Sequence, residues 1–204
     1  MCLIHEIKEA VTQLKECQNG LLHMNRILIR LLLMAGCQVF AAVNTTPQRD
    51  IDLDRYCGRW YEQARYDNWF EKGMDDVYTD YEVIDGDRIR VTNHGKDKKG
   101  HPHRANGRAC MHTSGELMVS FVWPYWWFHA PYKILYVTPD YQGALVSGEG
   151  EEYLWILTRR VDACPLLMKK LKQEAQRRGF DTTRLRYTKH QKRKSTAPDT
   201  NRPG

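Results

Sequence analysis

Between residues 54 and 159 the chain offers eight short segments in which apolar and polar side chains alternate. They are 57–66, 75–84, 88–93, 104–112, 116–123, 133–138, 143–147 and 153–158. Alternation with period two marks a strand with one buried face. Val77, Thr79, Tyr81 and Val83 share one face of the second segment, and Leu117, Val119, Phe121 and Trp123 share one face of the fifth. Asp85-Gly86-Asp87 and Ser114-Gly115 are turn sequences between them. Short strands at even spacing argue for a sandwich or a barrel. Eight strands that each bury one face close into a ring that leaves no edge exposed. The expected fold is all-β, an eight-stranded antiparallel up-and-down barrel.

One helix is expected after the strands, packed outside the barrel. Cys164, Leu167, Met168, Leu171 and Ala175 recur at helical spacing. Asp162 is the candidate N-cap, Pro165 falls in the first turn, and Gly179-Phe180 suits a C-terminal cap. Leu185 and Tyr187 suggest one last short strand.

Charge narrows the classes of partner. The formal net charge is +6. Residues 184–204 hold seven Lys/Arg against one Asp, whereas residues 37–183 hold 20 against 21 Asp/Glu. The basicity therefore lies in the C-terminal tail, and no nucleic-acid partner is expected for the folded part. No run reaches the roughly 18 apolar residues of a membrane-spanning helix.

The N-terminal region divides by composition. Residues 1–23 are polar and read as an over-extended reading frame, with Met24 as the true start. In 24–37, Arg26 and Arg30 precede Leu31-Leu32-Leu33 and then Met34-Ala35-Gly36-Cys37, the order of a secretory signal. The last four residues have the pattern of a bacterial lipobox, with Cys37 acylated. Cleavage after Val39-Phe40-Ala41 and a short buried helix are the alternatives. Residues 38–53 read as a linker, 54–188 as the barrel domain and 189–204 as a disordered basic tail.

Local motifs add a resemblance. Gly58-Arg59-Trp60-Tyr61-Glu62 resembles the G-x-W motif that opens the lipocalin barrel. Thr138-Pro139-Asp140-Tyr141 is similar to the family's T-D-Y turn with Pro inserted, and Arg159 matches its third motif. Together they span residues 54–187. The stretches 59–67, 69–73 and 153–159, with the lipobox, look most like the bacterial outer-membrane lipoprotein branch of the lipocalins, with the apolipoprotein D branch more distant. The resemblance implies that Trp60 plugs the closed end beneath Arg159, a cation–π contact of about 0.5–2 kcal/mol.

It also implies a hollow barrel that holds an acyl chain, with Glu62, Tyr66, Phe70, Tyr81, Phe121, Trp123, Tyr136 and Trp155 as candidate ligand contacts. The implied role is to store or transport a fatty acid or lysophospholipid for upkeep of a bacterial cell envelope. The protein is then an outer membrane lipoprotein anchored at Cys37, or periplasmic or secreted if Cys37 is not acylated. The Trp-rich loop 123–132 is a further candidate membrane contact. The alternatives are a filled barrel that uses this loop as a partner surface, and a lipid-modifying enzyme. A homodimer is left open. If Trp60 meets Arg159, Cys57 and Cys164 lie at one barrel end. They are then either disulfide-bonded, in an oxidising envelope, or two free thiols. No catalytic motif is present, no cofactor or metal is expected, and His101-Pro102-His103 reads as a solvated turn.

Overall fold

In the computed structural model, residues 42–86, 88–113, 115–121 and 129–191 are described. A one-turn helix α1 (Leu53–Tyr56) leads into β1 (Gly58–Tyr66), β2 (Asp75–Asp85), β3 (Arg88–Lys96), β4 (Pro102–Thr113), β5 (Glu116–Phe121), β6 (His129–Val137), β7 (Gly143–Ser147) and β8 (Leu154–Thr158). Helix α2 (Pro165–Arg177), a 3-10 turn (Thr182–Arg184) and β9 (Leu185–Tyr187) complete the chain. Each of the first seven strands pairs antiparallel with the next, and β1 pairs with both β8 and β2, which closes the barrel. The ninth strand lies against the upper half of β1, where β2 has diverged.

Two bulges decide which residues face inward. In β1, Glu62 pairs with Leu157 and Ala64 with Ile156, so Gln63 is one residue too many. In β6, Ile134 pairs with Val146 and Tyr136 with Leu145, so Leu135 is extra. Each extra residue reverses the inward parity of the strand beyond it. The interior core therefore holds Trp60, Ile134 and Val137, while Ala64, Tyr66 and Leu135 join a second core beneath α2. The backbone groups that the β6 bulge frees are taken up elsewhere. Ile134 O accepts from Gln48 N (2.8 Å), Val137 N donates to Gln48 Oε1 (2.8 Å), and Leu135 O accepts from Arg178 Nη2 (2.5 Å). The described part of the 38–53 linker thus runs as a strap along the wall rather than freely.

Helix α2 buries Leu171 and Ala175 on the outer wall, with Leu167 and Met168 partly covered and Cys164 exposed. Cys164 occupies the N-cap position and makes no side-chain cap bond. Asp162 pairs with Arg160 instead (2.9 Å). The C-terminal end follows the sequence pattern: Gly179 has φ +91° and Phe180 N donates to Ala175 O (3.0 Å). Leu171→Ala should cost about 2–5 kcal/mol by opening this second core, read from urea denaturation. A loss under 1 kcal/mol would mean that the helix rests on the wall without sealing it.

Two further expectations change. Pro131, assigned above to the Trp-rich loop, lies within β6 opposite Met118. Pairing with β7 begins only at Lys133, so the missing N–H of Pro131 interrupts no ladder on that side. The tail is not free from residue 189. Lys189 O accepts from Asp76 N (2.7 Å), and the buried His190 ring bonds through Nε2 to Glu62 O (2.6 Å).

Candidate functional site

The strand directions place the β1–β2, β3–β4, β5–β6 and β7–β8 connections at one end of the barrel. A cavity of about 230 Å³ opens there. Its apolar walls include Val77, Val91, Val119, Ala130, Pro131 and Leu157. Tyr81 and Tyr132 line its lower part, and both hydroxyls are engaged. Tyr81 OH donates to Tyr132 Oη (2.9 Å), and Tyr56 and Tyr132 share a second bond (2.7 Å). Burial pushes all three phenols above their ordinary range, so they stay neutral. Thr79 Oγ1 donates to Asn93 Oδ1 (2.8 Å) on the β2–β3 wall.

Three rings form one side of the mouth. Tyr153 stacks on Trp155 (5.8 Å between centroids) and Phe70 on Tyr153 (6.2 Å). A second recess of about 160 Å³ lies beyond Phe70 and Glu71, bordered by Trp69, Met74, Gly95 and Ala105. The β1–β2 loop stands between the two spaces and is tied inward. Arg65 Nη2 donates to Glu71 O (2.6 Å) and Met74 O (3.1 Å). Glu71 Oε2 accepts from Trp155 Nε1 (3.0 Å) and Asn68 Nδ2 (2.7 Å).

Beneath that loop lies a buried charge cluster. Arg65 is fully buried, bonds Glu62, and holds Nε 3.7 Å from Glu71 Oε2. Thr188 donates to the same Glu62 oxygen, and Arg65 Nη1 reaches Thr188 Oγ1 (3.3 Å). Two carboxylates thus share one guanidinium. Burial, and then the charge of Glu71, hold the Glu62 carboxyl above its ordinary value, opposed by Arg65.

The opposite end is shut. Trp60 is fully buried and donates Nε1–H to Tyr56 O (2.7 Å). The Arg159 guanidinium lies 3.9 Å from the indole. It also donates to Arg55 O (2.6 Å), Tyr56 O (3.0 Å), Arg59 O (3.0 Å) and Tyr141 O (3.2 Å), capping the C-terminal end of α1. Gly58 has φ +97°, and a Cβ there would sit 3.3 Å from Arg159 Nη1. That accounts for the glycine of the G-x-W motif. Thr138 Oγ1 accepts from Gln142 N and Gly143 N (3.0 Å each), and Tyr141 Oη accepts from Asp52 N (3.0 Å). All three sequence motifs therefore meet at one end of the barrel.

The family model for a lipocalin-like domain matches residues 51–190. The chain is a lipocalin. It is 35% identical over 164 residues to the outer membrane lipoprotein Blc of Vibrio cholerae, covering 78% of this chain and 94% of the relative. It is 34% identical over 165 residues to Blc of Escherichia coli K12, covering 74% and 89%. Apolipoprotein D of Macaca fascicularis is 27% identical over 152 residues, covering 65% and 79%. Insecticyanin from the tobacco hornworm Manduca sexta superimposes with a TM-score of 0.61 at 15% identity, covering 74% of this chain and 87% of that one.

Of the ligand contacts expected in this lipocalin, Glu62, Phe70, Tyr81 and Trp155 line the cavity. Tyr66 and Tyr136 do not. Both lie beyond a bulge and face the helix side, Tyr66 against Phe180 and Tyr136 beneath Lys170. Trp123 and the side chain of Phe121 lie outside the described residues, as do Cys37 and most of the Trp-rich loop. Cys57 and Cys164 are free thiols. His101 and His103 both lie against Asp97 (3.2 and 3.4 Å).

Sequence reading missed Arg65, Glu71, Tyr132 and Tyr153. The parity of β6 carried two residues back from Ile134 would have found Tyr132, and that of β8 already included Tyr153 on the inward face. No local signal marks Arg65, because its inward direction follows from the bulge.

Proposed function

We propose that this lipocalin is a carrier for a single-chain lipid, a fatty acid or lysophospholipid, in a bacterial cell envelope. The observation that carries the reading is the cavity at the open end of the barrel, with apolar walls, neutral hydroxyls low in it and charged groups at its mouth. Such a space shields an acyl chain and leaves the polar end near water. Burying the chain contributes roughly 0.8 kcal/mol per CH₂ before ordering costs. The similarity to proteins named outer membrane lipoprotein supports anchoring at Cys37. In this reading the protein binds and releases its lipid without a chemical step. Arg65, Glu62 and Glu71 serve one another rather than a reacting group.

Native mass spectrometry of the purified protein challenged with lysophospholipid tests this. The wild type should hold one lipid mass. Val119→Trp, which fills the cavity from its wall, should hold none while keeping its far-UV circular dichroism; overpacking of this kind costs about 1–3 kcal/mol. A wild type that stays lipid-free under every challenge would overturn the carrier reading.

A further inference from the structure

Among the described residues, the acids that line the cavity are Glu62, Glu71 and Glu149, and no Lys, Arg or His lines it. The buried Arg65 nearby is divided between Glu62 and Glu71, so it offers no spare positive charge to the cavity. Burial, and then the charge of Glu71, hold the Glu62 carboxyl above its usual value. Glu149 adds a further acid from the β7–β8 connection, where it is exposed at the mouth. The same mouth presents the rings of Phe70, Tyr153 and Trp155, mutually within 6.4 Å. Aromatic surface beside carboxylates is the chemistry that holds an ammonium group. A carboxylate or phosphate monoester there would instead meet three acids in a partly dewatered space, where like charges repel more strongly than in bulk water.

We infer that the mouth of the cavity is a subsite for an ammonium group, so that the preferred ligand is a single-chain amphiphile with a primary or quaternary ammonium at its polar end. This rests on the carrier reading and selects within it: the acyl chain takes the deep cavity, and the cation lies between Glu149, Glu71 and the three rings. Fatty acids and other purely anionic single-chain lipids become the poorer ligands. The recess beyond Phe70 is lined by Arg104, with His94 and His103, which lie against Asp80 (3.5 Å) and Asp97 (3.4 Å).

Three probes with the same sixteen-carbon acyl chain separate the possibilities: lysophosphatidylcholine, the neutral monoacylglycerol, and lysophosphatidate. Affinities are measured by displacement of a fluorescent lipid. The expected order is lysophosphatidylcholine tightest, then monoacylglycerol, then lysophosphatidate, with about tenfold between the first and last. Glu149→Gln and Tyr153→Leu should each shrink the gap between lysophosphatidylcholine and monoacylglycerol severalfold. Glu149 is exposed, so its substitution leaves the fold intact.

Equal affinities for lysophosphatidylcholine and monoacylglycerol would overturn the ammonium subsite and leave the carrier standing. Tightest binding of lysophosphatidate would overturn it too. If none of the three displaces the probe, the carrier reading falls first and the subsite with it. Choline alone binding as tightly as the lysolipid would assign the mouth to a small soluble cation and overturn the amphiphile.

Discussion

Trp60→Ala is expected to remove about 5 kcal/mol of stability, more than any other single truncation in the barrel. Emptying a fully buried Trp costs about 3–5 kcal/mol from lost packing and the cavity left behind. The indole N–H bond to Tyr56 O and the guanidinium contact of Arg159 are lost as well, each worth about 1 kcal/mol. Against a total of about 5–15 kcal/mol for a domain, such a variant is close to unfolding. Urea denaturation reads the loss directly. Arg159→Lys separates the parts, because it keeps a cation near the ring but cannot serve four carbonyls from one planar fork. It should fall between wild type and Trp60→Ala. If Trp60→Ala cost less than 2 kcal/mol, the closed end would not be the clamp its geometry describes.

The second large effect is at the mouth. Arg65→Met should cost about 3–5 kcal/mol at neutral pH, because it leaves the buried Glu62 and the partly buried Glu71 near one another without a countercharge. The deficit should depend on pH, with a sign set by Glu62. Its folded carboxyl lies above its ordinary value, so the folded chain holds that proton more tightly than the unfolded one. The resulting stabilisation is fully present below the unfolded value and is lost as pH rises through the folded one. Removing Arg65 pushes the folded value higher still. The deficit should therefore shrink toward pH 4–5 and widen toward pH 8, by about 1.4 kcal/mol for each unit of added shift. Asp76, Asp80 and Glu174 are held low by their own cations and act with the opposite sign, but equally in both proteins, so the difference between variant and wild type isolates the cluster. A deficit that does not change between pH 5 and pH 8 would show that the two acids are not coupled through Arg65.

The barrel was legible because its cause is local and repeated. Val77 and Tyr81, Ala109 and Met111, Leu117 and Val119 recur at even spacing, and each pair does turn inward. The closed end was legible for a similar reason: Trp60 and Arg159 lie on segments whose parity near that end is undisturbed. The candidate site was only half legible. Glu62 precedes the bulge in β1, Tyr81 lies between the two irregularities of β2, and β7 pairs with β8 through Trp155 without a shift. Tyr66 and Tyr136 were expected inward by counting twos through Gln63 and Leu135, where the count fails.

From its residues alone, then, this chain determined that it closes eight strands around an apolar interior and lays a helix on the outside. Alternation, turn residues and helical spacing are properties of neighbours in sequence, and these features need nothing more. Only the tertiary structure decided what the cavity contains. A bulge exists where the partner strand and the strap through Gln48 accept the displaced backbone groups, and neither partner is near in sequence. The bulge in β1 turns Arg65 inward, and folding brings Glu62, Glu71 and Thr188 onto its guanidinium. The charge balance at the mouth, and with it the kind of headgroup the cavity accepts, follows from that meeting of distant residues.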